Sequence, residues 1–169
     1  MLAYSVSKYL WYFSLIQDRP IMAYITNKKA TFNYEIIDRI EAGIELFGHE
    51  VKSIKAGKGN LEGSYIIVRG GEAFLVGALI SPYQVTNTPD NYDERRPRRI
   101  LLHKAEILRI AEAGTGTGRT TLPLSLYPKG KSGKIKIEIG IARGKKKHDK
   151  RETIKKRETE REVRREMKG

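Results

Sequence analysis

From Lys134 the chain reads KIKIEIGIAR, and within three residues of its end it becomes a charged segment with almost nothing to bury. That junction constrains the fold more than any other feature. Ile135, Ile137, Ile139 and Ile141 recur at every second position, with Lys134, Lys136 and Glu138 between them. A period of two puts all four isoleucines on one face of a strand. Beyond it, residues 143–169 carry thirteen Lys or Arg against six Asp or Glu, which is +7 of the chain's +13. The large apolar residues there are Ile154, Val163 and Met167, too few for a core. A β domain therefore ends in a basic arm, and a polyanion is the natural partner for such an arm.

The tail has helical grammar without an apolar face. Asp149 and Glu152 stand at capping-box spacing, and Glu152–Lys156 and Glu160–Arg164 are favourable i,i+4 pairs. Each pair contributes about 0.2–0.5 kcal/mol, so the segment is expected to be mostly disordered alone and helical along an anion.

Upstream, the pattern predicts more strands. Residues 34–48, YEIIDRIEAGIELFG, read as one strand that bends or bulges at Ala42-Gly43. HEVKSIKAG reads as a short basic-faced helix. SYIIVR and EAFLVGALI flank Gly70-Gly71 and read as a hairpin. Residues 86–97 are a polar loop. RRILLHKAEILRIAEAG reads as arginines leading into a helix stopped at Gly114, with Ile107, Leu108 and Ala111 at helical spacing. TTLPLSLY places Leu122, Leu124 and Leu126 on one face, with Pro123 marking an edge or a bulge. Five or six short strands and two helices predict a mainly β fold, a small closed barrel of the oligonucleotide-binding type. The expected organisation is an extension over 1–21, a barrel over 22–143 and a tail over 144–169.

Several function classes recede. The chain has no cysteine, which removes disulfides, thiol catalysis and thiolate metal sites. His49, His103 and His148 show no metal-ligand spacing, so no metal or cofactor is expected. No run reaches the roughly 18 apolar residues of a membrane span. The N-terminal stretch lacks a basic n-region and a cleavage site and does not read as a signal peptide. Residues 1–21 read as an extension or, the favoured reading, as a start assigned too early, because Met22 opens a cleaner beginning. GTGTG at Gly114–Gly118 follows a helix rather than a strand and reads as a turn. Gly130-Lys131-Ser132 has Ser125 where a phosphate loop needs its first glycine, so it too is a turn. Glu41 and Glu50 have no nucleophile or electrophile beside them, and a non-enzyme is expected.

The positive candidates suit RNA. Arg95, Arg96, Arg98 and Arg99 form one short basic stretch that suggests a phosphate site. Glu41, at the expected strand bend, can accept hydrogen bonds from a base. Tyr34, Tyr65 and Tyr83 could stack on bases, although packing is the better prior for each. His148 stands alone among cations at the junction, equally a base-stacking ring or a spacer.

The strings EVKSIKAGKGN, RPRRILLH and ARGKKKHDKR, with NKKA, EAGI, ISPY and LPLSLY around them, resemble the SsrA-binding protein (SmpB) family across residues 27–158. The resemblance implies an oligonucleotide-binding barrel that grips the tRNA-like domain of transfer-messenger RNA. It implies delivery of that RNA to ribosomes stalled on messages without a stop codon, with elongation factor Tu as a partner through the charged RNA. It also implies a tail that lies as a helix in the empty message channel, and a cytoplasmic location. Residue by residue, Asn27, Tyr34, Glu41 and Leu101 match RNA-binding positions, and Arg98 and Arg99 match the basic approach to ILLH. Gly144, Lys145 and Lys146 match the junction. His148, Asp149, Lys150 and Arg151, then Ile154, Lys155 and Arg157, match the ribosome-facing tail, with His148 stacking in the decoding centre. The family usually has Asp-Ser-Tyr where Gly63-Ser64-Tyr65 stands, and often Trp where Thr159 stands. The rival reading is a structural ribosomal protein with a barrel and a basic tail.

Overall fold

The computed structural model describes residues 23–146, apart from 85, 87, 116, 117, 131 and 132, together with 158, 159, 162, 163, 165 and 167. Its elements are β1 (Ile25–Thr26), α1 (Lys28–Asn33), β2 (Tyr34–Ile44), α2 (Gly48–Lys55), β3 (Tyr65–Arg69), β4 (Glu72–Val76), β5 (Arg98–Leu101), α3 (Lys104–Thr115), β6 (Arg119–Lys129) and β7 (Lys134–Gly144). The expectations on residues 1–21, Met22, His148, Asp149, Lys150, Arg151, Ile154, Lys155 and Arg157, and parts of both glycine-rich turns, lie outside the described residues. Among the described residues no helix is long and apolar enough to cross a membrane.

Seven antiparallel strands form one sheet in the order β1-β6-β7-β2-β5-β4-β3. Among the described residues no ladder joins β3 back to β1, so the closed barrel expected from the sequence is corrected to an open sheet. Its far strand β3 still packs beside β6. The strand and helix counts also rise, because β1, β5 and α1 are too short to carry a periodicity.

The isoleucine strand behaves as its pattern predicts. Ile135, Ile137, Ile139 and Ile141 all enter the main core with Ile40, Ile54, Leu75 and Leu126. Each such side chain contributes roughly 1.5–3 kcal/mol by leaving water. β7 pairs with β6 on one side and β2 on the other, so its backbone is satisfied on both edges.

β6 departs from its pattern. Its register shifts between Pro123 and Ser125, a bulge at Leu124. One extra residue moves the side chains that follow to the other face. Leu122 and Leu124 therefore pack with Ala30 and Ala142 in a small second cluster, while Leu126 joins the main core. Pro123 sits opposite Ile139 inside the ladder rather than on an edge.

β2 also differs. Its register shift lies between Ile36 and Asp38, not at Ala42-Gly43, and the strand ends at Ile44. Gly43 has another task. It pairs with Lys136 of β7 and with Leu101 of β5, so β2 passes from one partner to the next at this residue. A Cβ on Gly43 would stand 3.1 Å from Leu101 Cβ, too close for that crossing without a shift. The β3–β4 turn uses Gly70 and Gly71 at φ 60° and 77°, the left-handed pair that a tight hairpin requires.

Candidate nucleic-acid interface

The four-arginine stretch divides by burial. β5 alternates, so Arg98 and Ile100 face inward while Arg99 and Leu101 face out. Arg98 is 0% exposed, and so is its partner Glu50 on α2. Arg98 Nε donates to Glu50 Oε1 at 2.9 Å, and its terminal nitrogens donate to the carbonyls of Ala78, Glu94 and Arg96. Arg96 closes on the same carboxylate, with Nη2–Oε2 at 2.5 Å, and its guanidinium lies 3.9 Å over the Phe47 ring. The Tyr92 hydroxyl donates to Glu50 Oε1 at 3.1 Å. Burial works against the Glu50 charge, yet the hydrogen bonds from Arg96 and the Phe47 N–H, with the charges of Arg98 and Arg96, hold it below the usual carboxylate range.

This network pins the 86–97 loop to α2. The donors of Arg98 are spent inside the fold, whereas the sequence alone suggests that it faces a phosphate. Arg95 donates to Gly77 O at 3.0 Å and is exposed. Arg99 is exposed and paired with Glu72 at 2.7 Å.

A second carboxylate has a similar set of partners at the surface. Glu41 points outward from β2. The buried Tyr127 of β6 donates its hydroxyl to Glu41 Oε2 at 2.5 Å, and Lys129 Nζ closes on Oε1. Burial opposes the Glu41 charge; the bonds from Lys129 and Tyr127 and the charges of Lys129 and Lys136 outweigh it and lower its pKa. Burial and the Glu41 contact push the Tyr127 hydroxyl up. The carboxylate directly across the ladder, Glu138, is bound by Arg39 at 2.9 Å and by Ser125 at 3.1 Å. Two like charges in register are thus each neutralised by a cation.

Beside Glu41 lies a cavity of about 500 Å³ lined by Arg99, Leu101, His103, Glu106 and Lys136 among others. Leu101 is 54% exposed, an apolar side chain held out of the core by the alternation of β5. The fold therefore brings Glu41, Arg99 and Leu101 together across the Gly43 crossing. Nothing in the pattern of LPLSLYPK marks Tyr127 or Lys129 for this role. The bulge at Leu124 hides which residues of β6 reach the outer face.

Asn27 and Tyr34 belong to a different cleft, about 680 Å³, between α1, β3 and β6. Asn27 is only 4% exposed. Its Oδ1 caps α1 by accepting from Ala30 N–H at 3.0 Å, and its Nδ2 donates to Leu61 O and Pro123 O, both at 3.0 Å. Both amide donors are spent, so Asn27 shapes the cleft wall. Tyr34 is half-buried against Leu122 and Leu124, with Lys29 and Tyr65 also lining the cleft. Tyr65 is exposed there, and Tyr83 is exposed elsewhere, with Lys58 Nζ 5.7 Å from its ring centre.

The junction is tethered. Lys145 N–H donates to Asn33 O at 3.0 Å and its Nζ to Thr31 O at 2.9 Å, so the tail starts from the end of α1. Gly144 and Lys146 are exposed there. Farther on, Met167 N–H donates to Val163 O at 3.0 Å, a helical bond. The described residues hold no group of three or more His, Cys, Asp or Glu placed to bind a metal.

The family model described as SmpB protein matches residues 24–169. The chain belongs to the SmpB family. An SsrA-binding protein of Chlorobaculum tepidum is 50% identical over 139 residues, covering 82% of this chain and 87% of the relative. One from Microcystis aeruginosa is 45% identical, covering 90% and 97%. A solved SmpB structure, described as "tmRNA-SmpB: a journey to the center of the bacterial ribosome", superposes with a TM-score of 0.62 at 38% identity, covering 80% of this chain and 95% of that one. The SmpB match includes β5, α3 and the whole isoleucine strand, so both carboxylate networks lie inside it.

Proposed function

We propose that this chain binds the tRNA-like domain of transfer-messenger RNA and delivers it to stalled ribosomes in trans-translation. The observation that carries the reading is the fold-wide likeness, at 38% identity, to an SmpB structure described with that RNA and the bacterial ribosome. No observation favours the structural ribosomal protein.

The site geometry supports a specific division of work. The sheet acts as an oligonucleotide-binding type of platform. Glu41 offers a charged acceptor to base or ribose donors, Leu101 an apolar face beside it, and Arg99 a cation at the edge. Tyr34 borders the second RNA-facing cleft, while Asn27 and Arg98 hold the walls in place. Gly144, Lys145 and Lys146 form the hinge region from which the tail runs. His148, Asp149, Lys150 and Arg151, with Ile154, Lys155 and Arg157, engage the decoding centre and message channel. Elongation factor Tu joins through the charged RNA, in the cytoplasm, and the protein itself catalyses no reaction.

The test is a gel-shift titration against the tRNA-like domain of transfer-messenger RNA, with bulk transfer RNA as competitor. Binding that survives competition is expected. Binding that competitor removes would reduce the protein to a generic basic RNA binder. Replacing Asp149, Lys150 and Arg151 together is expected to leave that titration nearly unchanged and to abolish tagging on stalled ribosomes. Loss of RNA binding in that variant would refute the division between sheet and tail.

A further inference from the structure

We propose that the groove between α2 and the start of β7 is a further RNA-contacting surface, taking the sugar–phosphate backbone that continues from the Glu41–Leu101 cavity. This rests on the reading above that the cavity faces the RNA.

The groove holds about 510 Å³. Its apolar lining includes Ile44, Leu46, Val51 and Ile135. Its charged residues are Lys55, Lys134 and Lys136, and no Asp or Glu lines it. Arg39, Arg99, Arg109, Lys129 and Arg143 each close on a carboxylate. Among the described residues Lys55, Lys134 and Lys136 make no ion pair. Lys28 and Lys104 also close on no carboxylate among those residues, so what distinguishes the groove is the gathering of three lysines in one lining.

The three lysines come from two elements. Lys55 is the last residue of α2, and its Nζ hangs 3.5 Å from the point where a Cβ on Gly133 would stand, over the turn into β7. Lys134 opens β7 with its side chain exposed, and Lys136 follows two residues on, on the same face. Lys136 neighbours Glu41, but Lys55 and Lys134 close on no carboxylate, and like charges gathered in this way repel one another, a repulsion that phosphates relieve. The apolar floor suits a ribose or the face of a base.

The position selects the partner. The groove and the Glu41 cavity share Gly43, Leu101 and Lys136 in their linings, so one strand of RNA can cross from the first into the second. Phosphate contacts of this kind add affinity and orientation without reading sequence. Each one neutralised contributes about 0.7–0.9 to the slope of log affinity against log salt.

The test leaves Lys136 in place, because it also neighbours Glu41. Lys55→Gln/Lys134→Gln is compared with Lys28→Gln/Lys104→Gln, which removes the same charge from exposed sites elsewhere. Both are titrated against the tRNA-like domain and against bulk transfer RNA across a salt series. The groove variant is expected to lose about 1.5 from the salt slope, to bind several-fold more weakly than the control variant, and to do so on both RNAs. Equal losses in the two variants would mean that only net charge matters and would overturn the proposal. Glu41→Ala is run in parallel. If it binds as the parent does while the groove variant keeps its deficit, the groove stands and the Glu41 reading falls.

Discussion

Two glutamates in this molecule have nearly the same retinue and opposite surroundings. Glu50 is held by Tyr92, Arg96 and Arg98 with no exposure of its own. Glu41 is held by Tyr127 and Lys129 at the rim of an open cavity. Both carboxylates are kept ionised against the cost of burial. The buried one uses every acceptor within the fold and fastens a loop to a helix. The exposed one keeps lone pairs facing solvent, where a ligand can reach them. The same chemistry thus serves as a staple in one place and as a prepared acceptor in the other, and solvent access decides which.

Breaking the staple should have the largest effect. Arg98→Met leaves a buried carboxylate with only Arg96 to balance it and is expected to cost about 3–5 kcal/mol in urea unfolding. The double variant Glu50→Leu/Arg98→Met should recover part of that loss, since apolar replacement of both partners is often neutral. Full loss in the double variant would show that the pair itself is net stabilising. Glu41→Ala should do the reverse: unfolding shifts by about 1–2 kcal/mol, because the buried Tyr127 hydroxyl loses its acceptor, while RNA affinity falls by about 1.5–3 kcal/mol if a charged hydrogen bond is lost. A stability loss as large as that of Arg98→Met would erase the contrast between the two sites.

Acid sharpens it further. Both carboxylates are held below the ordinary glutamate pKa of 4.5, so each contributes stability that is present above 4.5 and lost as pH falls through the lowered value. Denaturation followed from neutral to acid pH should therefore steepen only below 4.5. Arg98→Met should raise the folded Glu50 pKa and so shrink the acid-linked loss of stability, and an undiminished loss would mean that Arg96 alone keeps Glu50 ionised. The smallest effect belongs to Tyr127→Phe, about 0.5–1.5 kcal/mol for one hydrogen bond. It removes a donor that lowers the Glu41 pKa, so RNA binding should begin to weaken at a higher pH than in the parent. An unchanged pH profile would show that Lys129 suffices.

Legibility in the sequence followed the range of the interactions. The isoleucines of β7 declared themselves because alternation is local and both neighbouring strands respect it. The leucines of β6 misled because a single bulge at Leu124 resets the alternation, and nothing in LPLSL marks it except Pro123. Arg98 and Arg99 are identical neighbours whose fates differ by one step of the pleat. Telling them apart requires knowing that RRIL is a strand and that Glu50, 48 residues away in sequence, waits beneath it. Asn27 was recognised only by resemblance. Its capping role depends on a helix of six residues, too short to show a period. Glu41 was singled out for a bend that lies elsewhere, and Leu101 only by resemblance. What joins them is the passage of β2 from β7 to β5 at Gly43.

The tether at Lys145 has a metric consequence. α1 is fixed at its start by Asn27, which also grips Leu61 and Pro123, and at its end it holds Lys145 through two carbonyls. The root of the tail is thereby set at a constant offset from the clefts of the sheet. Lys145 is thus a clamped zero mark, from which distance to anything beyond the sheet is counted.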